Sequence, residues 1–279
     1  MDALTLLMVL LAAVLHATWN ALVKSGDALV RMAFVHAVAA LCALPLMVVM
    51  APPEPASWPF LLGSVVVHQA YYGFLVLGYQ AGDLSQVYPI ARGTGPLLVA
   101  VGAFVFAGEA LSPRGTVAVL LICGAILSLA LAGWSRRRPG APVAFALVTG
   151  VMIAGYTLLD GLGGRLAGDV ERYIGWLFVL QGVPIVAFTI ARRRAVLWPA
   201  VRQSLATGVL GGVLAFTAYG VVIWAMSRTQ LTYVSALRET SVILAALIGA
   251  RLLREPLGAR RLGAASVVAV GVVLLQVSG

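Results

Sequence analysis

Two arginines lie in the middle of strongly apolar stretches of this chain, at corresponding places in its two halves. Arg92 lies in the run from Leu84 to Ala107 and Arg238 in the run from Leu231 to Leu253, a separation of 146 residues. A guanidinium stays charged and matches the geometry of carboxylate and phosphate groups. Charged side chains inside a membrane span are rare and mark substrate or ion pathways. The pair therefore predicts a repeated architecture with an ionic site.

Several other residues repeat at the same spacing of 146 residues. The matched pairs are Glu109 with Glu255, Thr94 with Thr240, Leu111 with Leu257, and Arg114 with Arg260. The two glutamates stand at the ends of their runs and are followed by prolines, which is typical of turns and helix starts. We therefore predict that they form salt bridges with loop arginines rather than contact a substrate.

The segment from Tyr88 to Pro96 contains two prolines and two glycines, which weaken a helix and free backbone carbonyl groups. A membrane tolerates such groups only where protein or a water-filled cavity satisfies them. Tyr88 and Arg92 are four residues apart and share a helix face. We predict a broken helix that presents both side chains to a substrate. The alternative is a kinked helix whose Arg92 pairs with an acidic side chain for structural reasons.

Arg238 is followed by Glu239, at the position where the first half has Gly93. Neighbouring residues of a helix point about 100° apart, so Arg238 and Glu239 are poorly placed to pair with each other. Glu239 could bind an ammonium group, exchange a proton, or neutralise an arginine across a helix interface. Two cations against one anion favour a carboxylate, a phosphate or a zwitterion as the ligand.

Further polar and aromatic side chains share helix faces and are predicted to form a cavity wall that hydrogen-bonds and stacks on a substrate. They are His16 and Asn20 with Trp19 beside them, His68 and Tyr72, Tyr156 and Asp160, and Tyr219. For the histidines, the asparagine and the aspartate, an interhelical hydrogen bond is the alternative. Aromatic residues near segment ends are predicted interfacial anchors, namely Trp58, Trp134, Tyr173 and Trp198. His36 stands near a helix end and is not predicted as a site residue.

The elements that position these residues follow from the composition. Hydrophobic residues make up 61% of the 279 and charged residues 10%, against about a quarter charged in soluble domains. Ten apolar segments of about 20 residues, the span of a hydrocarbon core, can be marked out. They are 3–23, 32–50, 58–80, 84–107, 114–134, 142–160, 173–191, 203–227, 230–253 and 259–277. Backbone groups in lipid must bond within their own segment, and the segments lack the alternation of barrel strands, so we predict an all-α integral membrane protein.

The basic residues are distributed unevenly between alternate loops. The loops after the first, third, fifth, seventh and ninth segments, here called the arginine-rich side, hold 13 Lys and Arg residues, against 4 in the other loops. The positive-inside rule then places the arginine-rich side in the cytoplasm and both termini outside. Arginines that orient helices need no anionic partner beyond lipid headgroups, so the net charge of +9 does not indicate nucleic-acid binding.

The repeat and the segment count together predict an inverted architecture. Five helices per half is an odd number, so the second half enters the membrane from the opposite side, as in many secondary transporters. We predict that residues 1–138 and 139–279 form two five-helix units of opposite topology. Arg92 and Arg238 lie about eight residues into their segments, about 12 Å deep, where a site between the halves belongs.

The segments AGDLSQVYPIARGTGPLLVAVGAFVFAGEALSPRG (81–115) and SRTQLTYVSALRETSVILAALIGARLLREPLGARR (227–261) carry a family resemblance. Each is a small-residue-rich helix that ends in Glu-x-Leu and is followed by a short turn and a Gly/Ala-rich helix. With the two-half, ten-helix layout, the chain resembles the EamA-type members of the drug/metabolite transporter superfamily. The resemblance implies transport of a small molecule. Members of that superfamily export amino acids, carry sugar phosphates or export cationic drugs.

We therefore predict a secondary-active transporter, working by alternating access, for an amino-acid-like zwitterion or an organic anion, with export as the direction to test. It is expected in the inner or plasma membrane, with lipid and a small-molecule substrate as partners and protons as the default coupling ion. Walker, HExxH, CxxC and GxSxG motifs are absent from the sequence, so no enzyme activity, cofactor or metal is predicted. One alternative is an exporter of cationic drugs or quaternary amines that uses Glu239. Another is an intramembrane lipid-modifying enzyme in which His16, His68 and Asp160 converge.

Overall fold

The structure, a computed structural model, describes residues 1–22, 27–81, 84–132, 140–244 and 259–278. Within these ranges the chain forms ten α-helices and one 3₁₀ turn, Pro55–Ser57. The helices are α1 Ala3–Leu22, α2 Ala28–Val49, α3 Trp58–Ala81, α4 Leu84–Ala107, α5 Pro113–Ala132, α6 Gly140–Arg165, α7 Val170–Gln203, α8 Leu205–Arg228, α9 Leu231–Arg238 and α10 Ala259–Ser278. The predicted all-helical class with ten helices is confirmed.

The described helices begin and end within a few residues of the predicted segments, except near the seventh and ninth. The predicted end of the seventh segment at residue 191 lies next to a kink at Arg193, but a second helical stretch, rather than a loop, continues from there to Gln203. Arg and Ala, which favour helices, dominate this continuation. The backbone leaves helical geometry at Arg193 (φ −129°, ψ 20°), whose Nε lies 3.1 Å from Asp27 Oδ2 at the start of α2. An ion pair thus holds the bend where α7 changes direction.

The outer surface of the bundle is apolar. Seven helices of the described residues, α1, α2 and α4 to α8, are long and apolar enough to cross a membrane. Large side chains such as Val49, Val66 and Phe106 remain largely exposed on the outside. Lipid tails solvate such side chains, whereas a soluble monomer rarely exposes a continuous apolar surface of this kind. The protein is therefore a multi-pass membrane protein.

Several contacts between helices have a counterpart when the corresponding helices of the two halves of the chain are exchanged. Exchanging the halves turns α1 into α6, α2 into α7 and α3 into α8. Under this exchange the packing of α3 along α6 becomes that of α8 along α1, and both are present. The pairs α2 with α7, α5 with α10 and α4 with α9 map onto themselves, and all three are in contact. The site-bearing helices α4 and α9 therefore meet between the halves.

Some predictions fall outside the described residues. The boundary between residues 138 and 139 lies there, so the division into two units stays a prediction. The same holds for the predicted roles of Trp134 and Glu255 and for part of the charge count that orients the protein, at Lys24, Arg136, Arg137, Arg138, Arg251 and Arg254.

Candidate functional site

The two helices that carry the arginines differ in continuity. α4 runs unbroken from Leu84 to Ala107 with Pro89 and Pro96 inside it, so the predicted break in this helix is wrong. Thr94 Oγ1 donates to the carbonyl oxygens of Ile90 at 2.8 Å and Ala91 at 3.3 Å, so the polar groups of this turn are bonded within the helix. A helix with internal prolines can continue in a membrane protein where such local bonds and neighbouring helices satisfy the backbone.

The interruption lies instead in the ninth span, which contains no proline among its described residues. α9 ends at Arg238, and helical structure resumes at residues 240–244. The N–H of Glu239 donates to Ala236 O at 3.1 Å, and Val242 N donates to Glu239 O at 3.0 Å. These three-residue spacings define a tight 3₁₀ turn, which often marks a functional position inside a helix. Here the turn separates the directions of Arg238 and Glu239.

Arg92 is neutralised by groups from the other half. Its Nε lies 2.8 Å from Glu239 Oε2, and its Nη2 donates to Ser241 Oγ at 3.1 Å. Arg92 and Glu239 are 3% and 1% exposed. The structural alternative for Arg92 and Glu239, a neutralising pair across the helix interface, is therefore what the structure contains. This pair joins α4 to the ninth span between the two repeats.

Arg238 has different partners. Its Nη2 donates to Tyr156 OH at 3.2 Å, and its guanidinium carbon lies 5.9 Å and 5.2 Å from the ring centroids of Tyr156 and Tyr219. Within the described parts of the chain, no carboxylate lies within ion-pair distance of Arg238. Arg238 is 5% exposed. Its positive charge is thus stabilised by phenol oxygen and ring faces rather than by a counter-ion.

The difference between the arginines originates in two glycines of α4. The positions that correspond to Glu239 and Ser241 in the first half are Gly93 and Gly95. A Cβ at Gly93 would lie 2.8 Å from Leu127 Cγ and 3.3 Å from Cys123 O, on α5. Close packing of α4 on α5 therefore leaves no room for a side chain that could reach Arg238. The second half supplies both partners of Arg92, and the first half supplies none to Arg238.

Aromatic rings surround Arg238 on the side away from Glu239. His68 stacks on Tyr156 with ring centroids 4.1 Å apart, and Tyr71 meets Tyr156 edge to face at 5.5 Å. Tyr219 meets Tyr156 edge to face at 6.0 Å. Such offset and edge-to-face contacts hold rings in fixed orientations. The cluster presents phenol hydroxyl groups and ring faces next to one cation.

A hydrogen-bonded group next to this aromatic cluster joins three helices. Tyr72 OH on α3 is bonded to His36 Nε2 on α2 and accepts from Gln181 Nε2 on α7 at 2.6 Å. His36 Nδ1 lies 2.8 Å from Met32 O, and Gln69 Nε2 donates to Gln181 O at 3.2 Å. This wall is therefore polar and ordered before any ligand binds.

These groups enclose a cavity of about 110 Å³ between the two halves. By the same measure one water molecule needs about 10–15 Å³, so the cavity accepts several waters or part of a small metabolite. Ten of the eleven predicted site residues line it: His16, Trp19, Asn20, His68, Tyr72, Tyr88, Arg92, Tyr156, Tyr219 and Arg238. Glu239 is not on the wall and stands behind Arg92.

Other wall residues were not predicted, and they are Met32, His36, Tyr71, Leu75, Phe178, Gln181 and Ala215. For Gln181 a signal was available, since a polar amide in the middle of the seventh apolar segment needs a partner. His36 was set aside because it stands near a helix end, but α2 begins at Ala28, earlier than predicted, which places His36 inside the membrane span. Nothing in the sequence distinguishes the apolar wall residues from apolar residues that only pack in the core.

Asp160 lies just beyond the cavity and is fully buried. Tyr173 OH donates to Asp160 Oδ1 at 3.0 Å, and Tyr219 OH donates to Asp160 Oδ2. The predicted interhelical hydrogen bond of Asp160 is thus present. The prediction of Tyr173 as an interfacial anchor is wrong, because its side chain is 0% exposed and turns inward to bind the carboxylate. By contrast Trp198 is exposed, as expected of an anchor.

Glu109 has the structural role that its position predicts. Arg165 Nη2, at the end of α6, donates to Glu109 Oε1 at 2.6 Å, and Leu231 N at the start of α9 donates to Oε2 at 2.8 Å. A surface depression of about 370 Å³ lies nearby, around Gly164, Asp169 and Arg228. Although it is the larger space, it lies at the ends of helices and is lined by loop groups, whereas the central cavity collects buried groups from both halves.

The residues of the predicted enzyme alternative do not converge. Among the described residues, no hydrogen bond joins His16, His68 and Asp160 to one another. His68 Nδ1 instead lies 3.1 Å from Ser64 Oγ and 3.0 Å from Ser64 O, one turn earlier on α3. His16 packs edge to face on Trp19. His68 and Asp160 share Ser64 as a hydrogen-bonding partner, but among the described residues no hydrogen bond brings His16 to either of them, so the three groups do not form the single set that the enzyme alternative requires.

Comparisons with known proteins agree with this architecture. The sequence profile of the EamA-like transporter family matches residues 141–277. No curated protein matches the sequence. Among solved structures 26 chains match. One of them, a crystal structure described only as a protein, aligns over 100% of both chains with a TM-score of 0.77 and 16% identity. At this identity the likeness concerns the fold alone, and it covers the whole chain.

Proposed function

We propose that this protein is a secondary-active transporter of a small carboxylate-bearing metabolite. The chain belongs to the EamA-like transporter family, whose sequence profile matches its second half. An organic anion or an amino-acid-like zwitterion would bind in the central cavity. Rocking of the two halves would expose the cavity to either side of the membrane in turn. The site residues predicted from the sequence have separate roles in this transporter.

The carrying observation is that no carboxylate of the described residues contacts the guanidinium of Arg238. A buried cation without a counter-ion is costly in a membrane interior. A ligand carboxylate would form charge-assisted hydrogen bonds with the guanidinium and remove that cost. Tyr156 and Tyr219 hold the guanidinium from its other faces, so it is oriented before the ligand arrives. Arg92 serves the same site indirectly, since its charge is already bound by Glu239.

The surrounding aromatic rings can contact the rest of the ligand. Trp19, Tyr71, Tyr72 and Tyr88 line the cavity and offer π faces, which attract ammonium groups and stack on planar ones. An amino-acid-like zwitterion would therefore find its carboxylate site at Arg238 and an aromatic environment for its ammonium group. The polar wall of Tyr72, His36 and Gln181 offers further hydrogen bonds.

Export of cationic drugs through Glu239 receives less support from the geometry. That mechanism needs a carboxylate exposed to the ligand, whereas Glu239 is 1% exposed and bound to Arg92. A cation at this site would also approach Arg238, a like charge. The aromatic lining is the one feature that favours a cationic ligand, and a zwitterion makes equal use of it.

The proposed localisation is an inner or plasma membrane with the arginine-rich side in the cytoplasm and both termini outside. The count of basic residues supports this orientation. Labelling of terminal tags in intact and permeabilised cells tests it, and tags that react only after permeabilisation contradict it.

A ligand screen on the purified protein tests the substrate class. We expect amino acids or organic acids, rather than quaternary amines, to raise the melting temperature, since a ligand that binds the folded state stabilises it. Arg238→Gln should weaken that ligand by about 10- to 150-fold, the range for a lost hydrogen bond to a charged group. Counterflow of the labelled ligand into liposomes then shows transport.

Two variants serve as controls for this screen. Arg228→Gln removes an arginine that lies over Trp224 at a helix end and should leave binding unchanged. Glu239→Gln separates the rival function: stabilisation by a quaternary amine that is lost in Glu239→Gln and kept in Arg238→Gln would overturn the proposal in favour of cation export.

A further inference from the structure

Asp160 is a buried carboxylate without a cationic partner. Its two oxygens accept from the phenols of Tyr173 and Tyr219, and it is 0% exposed. In the described ranges no Arg, Lys or His lies within ion-pair distance of it. An ionised carboxylate in a membrane interior is costly unless hydrogen bonds and charges compensate it. Here neutral hydroxyl groups, those of Tyr173 and Tyr219 together with that of Ser64, carry that compensation, so binding a proton is the direct alternative.

Asp160 stands between the cavity and one closed end of the bundle. Tyr219 lies on the cavity wall, whereas Tyr173 lies beyond Asp160, near the start of α7. At the same end Ser57 Oγ donates to Gly163 O at 2.8 Å, and Trp58 packs edge to face on Trp176 at 5.0 Å. These contacts seal the ends of α3, α6 and α7 on the side opposite the arginine-rich loops.

The exposure of the wall residues shows which end of the cavity is accessible. His68, Arg92, Tyr156 and Arg238 are buried. The wall residues nearer the arginine-rich side, Trp19, Asn20, Met32 and Leu75, are partly exposed. Tyr219 is also partly exposed, whereas Asp160 and Tyr173 are fully buried, so the accessible cavity stops between Tyr219 and Asp160.

We propose that Asp160 is the site of the coupling proton and that its protonation releases the closed end of the cavity. The proton enters the cavity as a hydronium ion. Tyr219 gives its phenolic proton to Asp160 Oδ2 and takes one from the hydronium ion, which becomes neutral water, so Tyr219 is unchanged and one proton is bound. The carboxylate becomes a neutral carboxylic acid, and no other group changes charge.

Protonation changes what Asp160 can accept. A carboxylate accepts from both phenols, whereas a carboxylic acid has one hydroxyl donor and accepts more weakly. One of the two bonds that tie α6 to α7 and α8 is therefore weakened or lost. Other contacts at this end, such as the ion pairs of Arg165 with Glu109 and of Arg172 with Asp169, do not change. The loss of the bond to Asp160 is therefore what lets the end open more easily once the proton is bound.

The surrounding charges couple this proton to the substrate, a step that rests on the proposed function. The titratable and charged side chains on the helices around Asp160 are His36, His68, Tyr72, Tyr173, Tyr219 and Arg238. Arg238 is the fixed cation of this set. A ligand carboxylate neutralises Arg238, so Asp160 then binds a proton more readily, and by linkage the proton favours the ligand. Proton and carboxylate would cross together.

Infrared spectroscopy of the full-length protein in liposomes tests the proton site, with protons as the only ligand. Acidification should produce the C=O band of a protonated carboxyl group in the unaltered protein and in Glu239→Gln. The band should be absent from Asp160→Asn. A band that persists in Asp160→Asn and vanishes in Glu239→Gln would assign the proton to Glu239 and overturn the proposal.

A cysteine reporter tests the release of the closed end. Ser57→Cys, in a Cys42→Ala, Cys123→Ala background, places a thiol at a residue that is 0% exposed. Because acid depletes the reactive thiolate of every cysteine, the rate is taken relative to that of an exposed cysteine at the same pH. We expect an impermeant maleimide to label Ser57→Cys at least about tenfold faster at acidic pH on this relative scale, the effect of losing one hydrogen bond to a charged group. Asp160→Asn should be labelled fast at every pH. An unchanged pH dependence in Asp160→Asn contradicts the proposed release.

Tyr173→Phe keeps the test decisive if Asp160→Asn does not fold. It removes one donor to the carboxylate, so the infrared band should appear at higher pH and labelling at neutral pH should increase. An unshifted band would overturn the proposal. Because neither measurement needs a substrate, failure of the ligand screen leaves them interpretable, and their failure alone leaves the proposed transport of a carboxylate intact.

Discussion

Arg92 and Arg238 occupy corresponding positions in the two halves, yet they are held by groups of different charge. Arg92 binds Glu239 and Ser241, both from the ninth span. Arg238 binds the Tyr156 hydroxyl and two ring faces, and no described carboxylate forms an ion pair with it. Arg92 and Glu239 together carry no net charge, whereas Arg238 contributes a full positive charge to the cavity wall.

This difference shows how a symmetric scaffold can produce an asymmetric site. The packing of α4 on α5 leaves no room for a side chain at Gly93, and its packing on Ile153 of α6 leaves none at Gly95. The tight turn at Glu239, by contrast, leaves space for a carboxylate and a hydroxyl. Two arginines in a cavity would repel each other and accept two negative charges. With one arginine neutralised from within the protein, the site matches a single carboxylate.

The largest expected effect is on stability, from removing one member of the neutral pair. Arg92→Met leaves Glu239 buried without a counter-ion, which costs about 3–5 kcal/mol in folded proteins. We expect a correspondingly large drop in the melting temperature of the detergent-solubilised protein. Arg238→Met should not lower it, because that arginine has no counter-ion to strand.

The double variant Arg92→Met, Glu239→Leu is the control for this prediction. Replacing a whole buried ion pair by apolar side chains is often neutral or stabilising. The double variant should therefore recover most of the melting temperature lost in Arg92→Met. If it stays as unstable as the single variant, the pair is not what stabilises Arg92, and the comparison between the two arginines fails.

Much of the fold could be predicted from the sequence, because lipid restricts the chain to apolar helices of nearly fixed length. The repeat of 146 residues located α4 and the ninth span, and side-chain spacing on helix faces located ten cavity residues. The partners of each arginine could not be predicted in this way. These partners depend on the direction in which a side chain points after a backbone turn. The sequence has no proline or glycine next to Glu239 that would predict such a turn.

The error at α4 has a physical reason of the same kind. Pro89, Gly93, Gly95 and Pro96 were interpreted as a broken helix, because prolines remove backbone donors. In the structure Thr94 satisfies nearby carbonyl groups, and the glycines allow neighbouring helices to approach closely. Residues that weaken an isolated helix can therefore strengthen its packing, and only the neighbouring helices distinguish the two outcomes.

An intermediate effect on stability is expected from adding a side chain at Gly93, the position where the second half has Glu239. In Gly93→Ala the new Cβ would lie 2.8 Å from Leu127 Cγ. Overpacking of this kind costs about 1–3 kcal/mol, so the melting temperature should fall. Gly124→Ala on α5, where nothing lies within 4 Å of the added Cβ, is the matched control and should not be destabilising.

Shortening the neighbour tests whether the space at residue 93 is the cause. Leu127→Ala added to Gly93→Ala should recover part of the lost stability, although Leu127→Ala alone is destabilising. If Gly93→Ala is as well tolerated as Gly124→Ala, packing does not explain why the first half lacks a counterpart of Glu239.

The smallest expected effects come from removing a single hydroxyl beside each arginine. Ser241→Ala deletes the acceptor 3.1 Å from Arg92 Nη2, and Tyr156→Phe deletes the one 3.2 Å from Arg238 Nη2. Each bond is worth about 1 kcal/mol, or about fivefold in an equilibrium constant.

In Ser241→Ala this should appear as lower stability with unchanged ligand affinity, because the hydroxyl supports a structural pair. In Tyr156→Phe it should appear as weaker ligand binding, because the phenol orients the guanidinium that meets the carboxylate. Ligand affinity that falls equally in both variants would mean that Arg92 and Arg238 serve the ligand alike, in spite of Glu239.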